Sequence, residues 1–381
     1  MKKIASILFI LLSIRVGFTQ NSTNLALKKI DSIVLAKMLE HDMVGVSLGI
    51  VNEGKIYLLK GYGTREIYTD KPIDSLTNFL TCSISKLFTA TAIMQLVEQG
   101  KIETRKKLIE YVPEFTMTDK RYRDITIEQM LTHTSGLPNV FKKNFINPEN
   151  DSIALTLFAK KLNHKKLSFQ PGVQLSAETY SNTAYNLLGL VIERVSGKTY
   201  IDYITENVLL PAGLKNSSFF YQTIDENRRS LPHKKVALTG EVKVSGYYPD
   251  IPQDKPCGNL NSCSLDMCNW IVYNLAIYNS APSDGGVIIS KNTLQSMWNT
   301  THDIPPYKTS IGLGWWILDS DKYGKLVFHD GNDPGFSSSL IISPENNFGV
   351  VILCNGMYPM EIIWNELPFE IMDIFAVDWN K

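Results

Sequence analysis

Three short stretches of the chain carry residue types that could make and break an acyl bond: Ser83-Ile84-Ser85-Lys86, Tyr180-Ser181-Asn182 and His329-Asp330-Gly331. In the first, residues three apart share a helix face, so the Lys86 ammonium can lie beside the Ser83 hydroxyl. A serine hydroxyl is a weak nucleophile until a neighbour takes its proton. A lysine whose charge is partly desolvated can be that neighbour. Free backbone N–H groups at a helix start also stabilise negative charge on a reacting oxygen. In the second stretch, positions i and i+2 of an extended segment project to the same side, so the Tyr180 phenol and the Asn182 amide can face one site. A tyrosine beside a cation can serve as general base or acid. An amide can hold a substrate carbonyl and the lysine together. The third stretch ends the apolar run Leu326-Val327-Phe328. A strand edge there can align a substrate through backbone hydrogen bonds, with Gly331 permitting close approach. The N–H of Asn332 is then a second oxyanion donor beside that of Ser83. Taken singly, each stretch has a plainer explanation: a surface helix start, a tyrosine at a helix entrance, a strand-terminal histidine.

The elements around these residues follow from pattern. Asn24 to Glu40 has a buried stripe of Leu25, Ile30, Ile33, Val34, Leu35 and Met38 and is expected to be helical. Val44–Val51 and Lys55–Tyr62 are strand-like and joined at Asn52-Glu53-Gly54, a hairpin signal. Ser83 to Gln99 lacks proline and is followed by Gly100, which suits a helix and its end. The region of about 105–305 mixes helical stretches with long connections rich in proline and asparagine, and Tyr185–Val195, closed by Gly197, is its clearest helix. Strand character returns at Gly314–Leu318, Leu326–His329, Ser338–Ile342 and Gly349–Cys354, and Glu361–Phe375 closes the chain as a helix kinked or restarted at Pro368. Strands at both ends with helices between them predict an α+β fold: one antiparallel sheet built from both chain ends and flanked by helices, plus a mostly helical lobe, with the site in the seam. No repeat or low-complexity linker interrupts the chain, so residues 21–381 are expected to form one unit.

Composition bounds the function. Of 381 residues, 44% are hydrophobic and 20% charged, which suits a folded protein. Lys+Arg and Asp+Glu are both 38, and this balance argues against a nucleic-acid partner. Lys2 and Lys3 precede the apolar run Ile4–Ile14, which Arg15 ends. Residues 1–20 are therefore expected to be a secretory signal peptide, cleaved near Gln20, placing the protein in the periplasm or the medium without a stable membrane span. No cysteine lies near that point, so no lipid anchor is expected. The five cysteines are Cys82, Cys257, Cys263, Cys268 and Cys354. They lack the paired spacing and partner histidines of a zinc site, and are expected to be core or surface thiols, with one disulfide possible among the middle three.

Taken together, in this order and spacing, the three stretches resemble the serine β-lactamase and penicillin-binding superfamily. More narrowly, the chain is similar to the class C group, which includes β-lactamases, D-alanyl-D-alanine carboxypeptidases, D-aminopeptidases and esterases. The likeness extends through Gly61-Tyr62-Gly63, Gln95–Gly100, Leu131-Thr132-His133-Thr134-Ser135-Gly136-Leu137-Pro138, Asn186-Leu187-Leu188-Gly189 and Pro334-Gly335-Phe336. The resemblance implies Ser83 as nucleophile, Lys86 as its activator and Tyr180 as proton carrier. It further implies Asn182 as partner of substrate and lysine, His329 and Gly331 as substrate-binding positions, and the N–H groups of Ser83 and Asn332 as the oxyanion hole. It requires neither metal nor cofactor. His133 is expected to be structural. One departure stands out: the β-lactamases of this group carry Lys-Thr-Gly where this chain has His329-Asp330-Gly331. A histidine there resembles the peptidase and esterase members more. The implied activity is hydrolysis of amide or ester bonds in D-amino-acid peptides or small esters, with β-lactams also possible. The alternative is a non-catalytic penicillin-binding or scaffold protein that retains the fold. Oligomeric state is not legible.

Overall fold

The computed structural model describes residues 25–140, 152–281, 287–304, 309–377 and 379. The expected signal segment 1–20 lies outside the described residues. An eight-stranded antiparallel sheet organises the molecule, in the order Lys55–Gly63, Gly45–Asn52, Phe348–Cys354, Phe336–Ser343, Gly324–Asp333, Trp316–Ser320, Thr309–Ile311, His302–Asp303. The first strand pairs with the last from Val46↔Cys354 to Val51↔Gly349, so the two ends of the chain close one sheet. The three central strands are buried almost throughout. That is why Phe348–Cys354 reads as a continuous apolar run rather than as an alternation.

Helices cover both faces. On one side the helix over 25–40 and the Leu367–Ala376 helix bring Ile30, Val34, Leu367 and Ile371 onto Val46, Leu48, Val350 and Ile352. On the other, Ser264–Asn279 brings Cys268, Trp270 and Ile271 into a larger core with Val51, Val351 and Leu353. Each such aliphatic side chain contributes roughly 1.5–3 kcal/mol by leaving water. The expected break at Pro368 is a restart: a π-turn over Glu361–Glu366 passes into an α-helix with the proline in its first turn.

The 105–305 region is mostly helical, as expected, but adds two small strand pairs, His233–Lys235 with Val242–Val244 and Phe79–Leu80 with Asn261–Ser262. His302–Asp303 and Thr309–Ile311, which extend the main sheet, were not expected either. Strands of two or three residues are too short to show a period. The expected Ser83–Gln99 helix is a 3-10 turn, Cys82–Ile84, running into the α-helix Ser85–Glu98. Residues Ser85 to Leu96 of that helix are all buried, which makes it the axis of the helical lobe. The helix expected at Tyr185–Val195 spans Asn182–Ser196; Ser181 caps its start and Gly197, at φ 72°, its end. All five cysteines are buried and unpaired. Among the described residues no helix is long and apolar enough to cross a membrane, and no cluster of His, Cys, Asp or Glu could hold a metal ion.

Candidate active site

Ser83 sits in the 3-10 turn, at the seam between the sheet and the helical lobe. Cys82, just before it, has φ 51°, a left-handed conformation that costs a non-glycine residue roughly 1–2 kcal/mol. The turn is over-determined from two sides. Thr81 N donates to Leu260 O at 2.8 Å, Leu260 N donates to Ser85 Oγ at 3.0 Å, and Ser85 Oγ donates to Cys82 O at 2.7 Å. From the sheet, Ser338 Oγ donates to Thr81 O at 2.8 Å. Gly331 lies against the turn: a Cβ there would meet Cys82 Cβ at 2.6 Å and Ser83 N at 2.7 Å. Only glycine lets the strand approach the Ser83 backbone this closely.

Lys86 is fully buried, and its Nζ donates to Ser83 Oγ at 3.0 Å and to Cys257 O at 2.6 Å. The same ammonium lies 4.9 Å from the Tyr180 ring centroid and 5.6 Å from that of Tyr185. An amine removed from water this completely needs such partners. The i,i+3 spacing thus brings Lys86 to Ser83, and the Tyr180 ring lies beside the same ammonium.

Asn139 holds that stretch in two places: its Nδ2 donates to Tyr180 O at 2.6 Å and its Oδ1 accepts from Asn182 N at 2.7 Å. Asn182 Oδ1 is buried without a hydrogen-bond partner. Opposite, the Gly324–Asp333 strand pairs on one side with Phe336–Ser343 as far as Asp333, but on the other its register with Trp316–Ser320 stops at Phe328. From His329 onward that edge is open to the cavity that His329, Gly331 and Asn332 line with Ser83. The cavity measures about 1200 Å³, and its walls include Tyr247, Trp316, Phe328 and Trp364.

A family model described as Beta-lactamase matches residues 30–367. The chain belongs to the beta-lactamase family. Over 342 residues it is 28% identical to Protein flp of Staphylococcus aureus (strain MW2), a match covering 87% of this chain and 64% of that protein. Over 314 residues it is 27% identical to penicillin-binding protein 4* of Bacillus subtilis (strain 168), covering 79% of this chain and 66% of that protein. The chain thus spans less than two thirds of the length of these relatives. The solved structure of the octameric penicillin-binding protein homologue from Pyrococcus abyssi superimposes with a TM-score of 0.73 at 25% identity, covering 93% of this chain and 78% of that one. The beta-lactamase fold and its serine-hydrolase superfamily are therefore shared over most of the chain.

Within this beta-lactamase-family site, His329 is enclosed. It is 2% exposed, and its Nδ1 lies 2.8 Å from Asp330 O. Burial, with the Lys86 charge nearby, pushes its imidazole down to about 3. An imidazole of ordinary basicity would gain charge near pH 6.5; this one is neutral throughout the working range. A neutral ring here offers no fixed charge to a substrate carboxylate. Burial also raises the carboxyls around the cavity: Asp254 to about 6, with Asn186 and Lys86 opposing, Asp333 to about 7, and Asp330 to about 8. His133, expected to be structural, lies beneath Tyr180 with ring centroids 4.2 Å apart. Neither it nor Asn139, Asp254 or Trp316 stands near a motif serine or lysine in sequence, so spacing gave no signal for them.

Proposed function

We propose that the chain is an exported serine hydrolase that cleaves amide or ester bonds through an acyl-enzyme on Ser83. The observation that carries this reading is the 3.0 Å contact between Lys86 Nζ and Ser83 Oγ at the wall of a large cavity. Lys86 is the group in reach of the hydroxyl and activates it. As Ser83 Oγ bonds to the substrate carbonyl carbon, Tyr180, acting as a phenolate beside the Lys86 ammonium, takes the serine proton and hands it to the departing oxygen or nitrogen. The carbonyl oxygen, negative in the transition state, is met by the N–H groups of Ser83 and Asn332. Water then takes the acyl group from Ser83, the acid leaves, and the serine regains its proton. Asn182 orients the substrate carbonyl side.

Substrate preference follows from charge. Lys86 is committed to Ser83 and Cys257, and His329 is neutral, so the third stretch offers no fixed cation to a carboxylate. Small esters and uncharged amides or peptides suit the aromatic walls best, ahead of β-lactams. Export rests on the basic and apolar pattern of residues 1–20. The test is turnover of a panel of p-nitrophenyl esters, D-Ala-terminated peptides and nitrocefin. Ser83→Ala should lose at least about 10³-fold in kcat on whichever substrate is turned over, with folding intact. Retention of more than about a tenth of kcat would move the chemistry to another residue.

A further inference from the structure

The loop Leu131–Asn139 touches every residue of the Tyr180–Asn182 stretch. Ser181 N donates to His133 Nδ1 at 3.1 Å, and Asn139 takes the flanking Tyr180 O and Asn182 N. The loop is itself fixed: Thr134 N donates to Gln129 O at 2.9 Å, Ser168 N to Gly136 O at 2.9 Å, and Tyr185 Oη to Leu131 O at 3.0 Å. His133 adopts φ 57°, a conformation that only such a frame would hold in a residue other than glycine.

Its ring is fully buried and packed against three aromatic rings: Tyr180 at 4.2 Å and 34°, Tyr185 at 5.1 Å, and Trp316 at 6.0 Å and 19°. Because Nδ1 accepts the Ser181 N–H, the ring proton belongs on Nε2, and Nε2 has no hydrogen-bond partner. A buried orphan of that kind costs about 1–3 kcal/mol. An apolar ring would remove the penalty but would strand the Ser181 N–H instead. The titratable and charged groups that face the imidazole are Lys86, Tyr180, Tyr185 and His329, and burial together with the Lys86 charge holds it well below the ordinary histidine range. It therefore adds no second cation beside Lys86.

We propose that His133 is a positioning residue for Tyr180: its buried ring is the platform that fixes the phenol over Lys86, and Asn139 locks the backbone on either side. This rests on the reading of Tyr180 as proton carrier. His133→Asn separates the roles, since asparagine tolerates positive φ and its side-chain oxygen can accept the Ser181 N–H while the ring is removed. The readout is the pre-steady-state acylation rate of the full chain with a p-nitrophenyl ester, together with the pH profile of kcat/KM. His133→Asn is expected to lower acylation about tenfold or more with KM near wild type, and to move the pH profile. In the Tyr180→Phe background the same change is expected to add no more than about twofold, because both act at one step. Asn139→Ala, at a partly exposed position, is expected to lower acylation in the same direction and carries the test if His133→Asn does not fold. Wild-type acylation and pH profile in both variants, or a full multiplicative loss on top of Tyr180→Phe, would overturn the proposal. Should Tyr180→Phe itself acylate at the wild-type rate, the proton-carrier reading falls and the platform with it; a slow Tyr180→Phe beside a wild-type-like His133→Asn and Asn139→Ala removes the platform alone.

Discussion

On the strand side of the cavity, the Ser83 turn is held at its backbone groups, by Thr81 N on Leu260 O, by the Ser85 and Ser338 hydroxyls on Cys82 O and Thr81 O, and by the close approach of Gly331. On the loop side, Tyr180–Asn182 is held chiefly by two side chains, His133 and Asn139, that lie more than forty residues earlier in the chain. The first wall leaves almost no room to adjust, because any shift strains a buried turn that already contains a left-handed residue. The second can relax when one side chain changes. In the proposed reaction Ser83 attacks while its own N–H faces the oxyanion and needs the first kind of support, whereas Tyr180 as proton carrier can act over a small range of positions.

This difference can be broken experimentally, and the strand wall should give the larger response. Gly331→Val places a branched side chain where 2.6–2.7 Å already separates a Cβ from Cys82 Cβ and Ser83 N. Acylation should fall by about 10²-fold or more and the melting temperature should drop, read by burst kinetics and calorimetry. Near wild-type kinetics in this variant would mean that the turn is not pinned by the strand. Next in size, Lys86→Ala and Tyr180→Phe should each slow acylation by a factor on the order of 10², with the double variant little slower than either. Strictly multiplicative losses would show that the two residues serve separate steps rather than one relay.

The smallest effect concerns His329. Its imidazole, pushed down to about 3, protonates only below that value and so carries no charge between pH 5 and 8. The ratio of kcat/KM for a carboxylate-bearing substrate to that for a neutral ester should therefore show no His329-dependent change across that range, and His329→Ala should have the same flat profile. His329→Lys restores a cation and should raise the ratio several-fold near pH 7. A wild-type ratio that falls as pH rises through about 6.5, and becomes flat in His329→Ala, would mean that the ring is charged and in contact with substrate.

Much of this design was legible in the sequence where physics is local. The i,i+3 rule joins Ser83 to Lys86 on a helix face, and the buried Phe348–Cys354 strand reads as an apolar run. Turn and cap residues marked the Asn52–Gly54 hairpin and the Gly197 helix end. What was not legible depends on distant partners. Nothing around Cys82 announces a left-handed φ, since the bonds that enforce it come from Leu260 and Ser338. The charge state of His329 is set by burial that the tertiary fold supplies, and a histidine at a strand end looks the same exposed or enclosed. His133 lay inside a recognisable stretch, but its contact with Tyr180 spans 47 residues of chain and leaves no local trace.

The central claim is a covalent bond on one oxygen. Incubation of the folded protein with a fluorophosphonate probe, followed by intact-mass measurement and peptide mapping, tests it directly. The account predicts one adduct per chain, on the peptide containing Ser83, and none on the Ser83→Ala variant; labelling of a different residue, or turnover by a protein that the probe leaves unmodified, would contradict it.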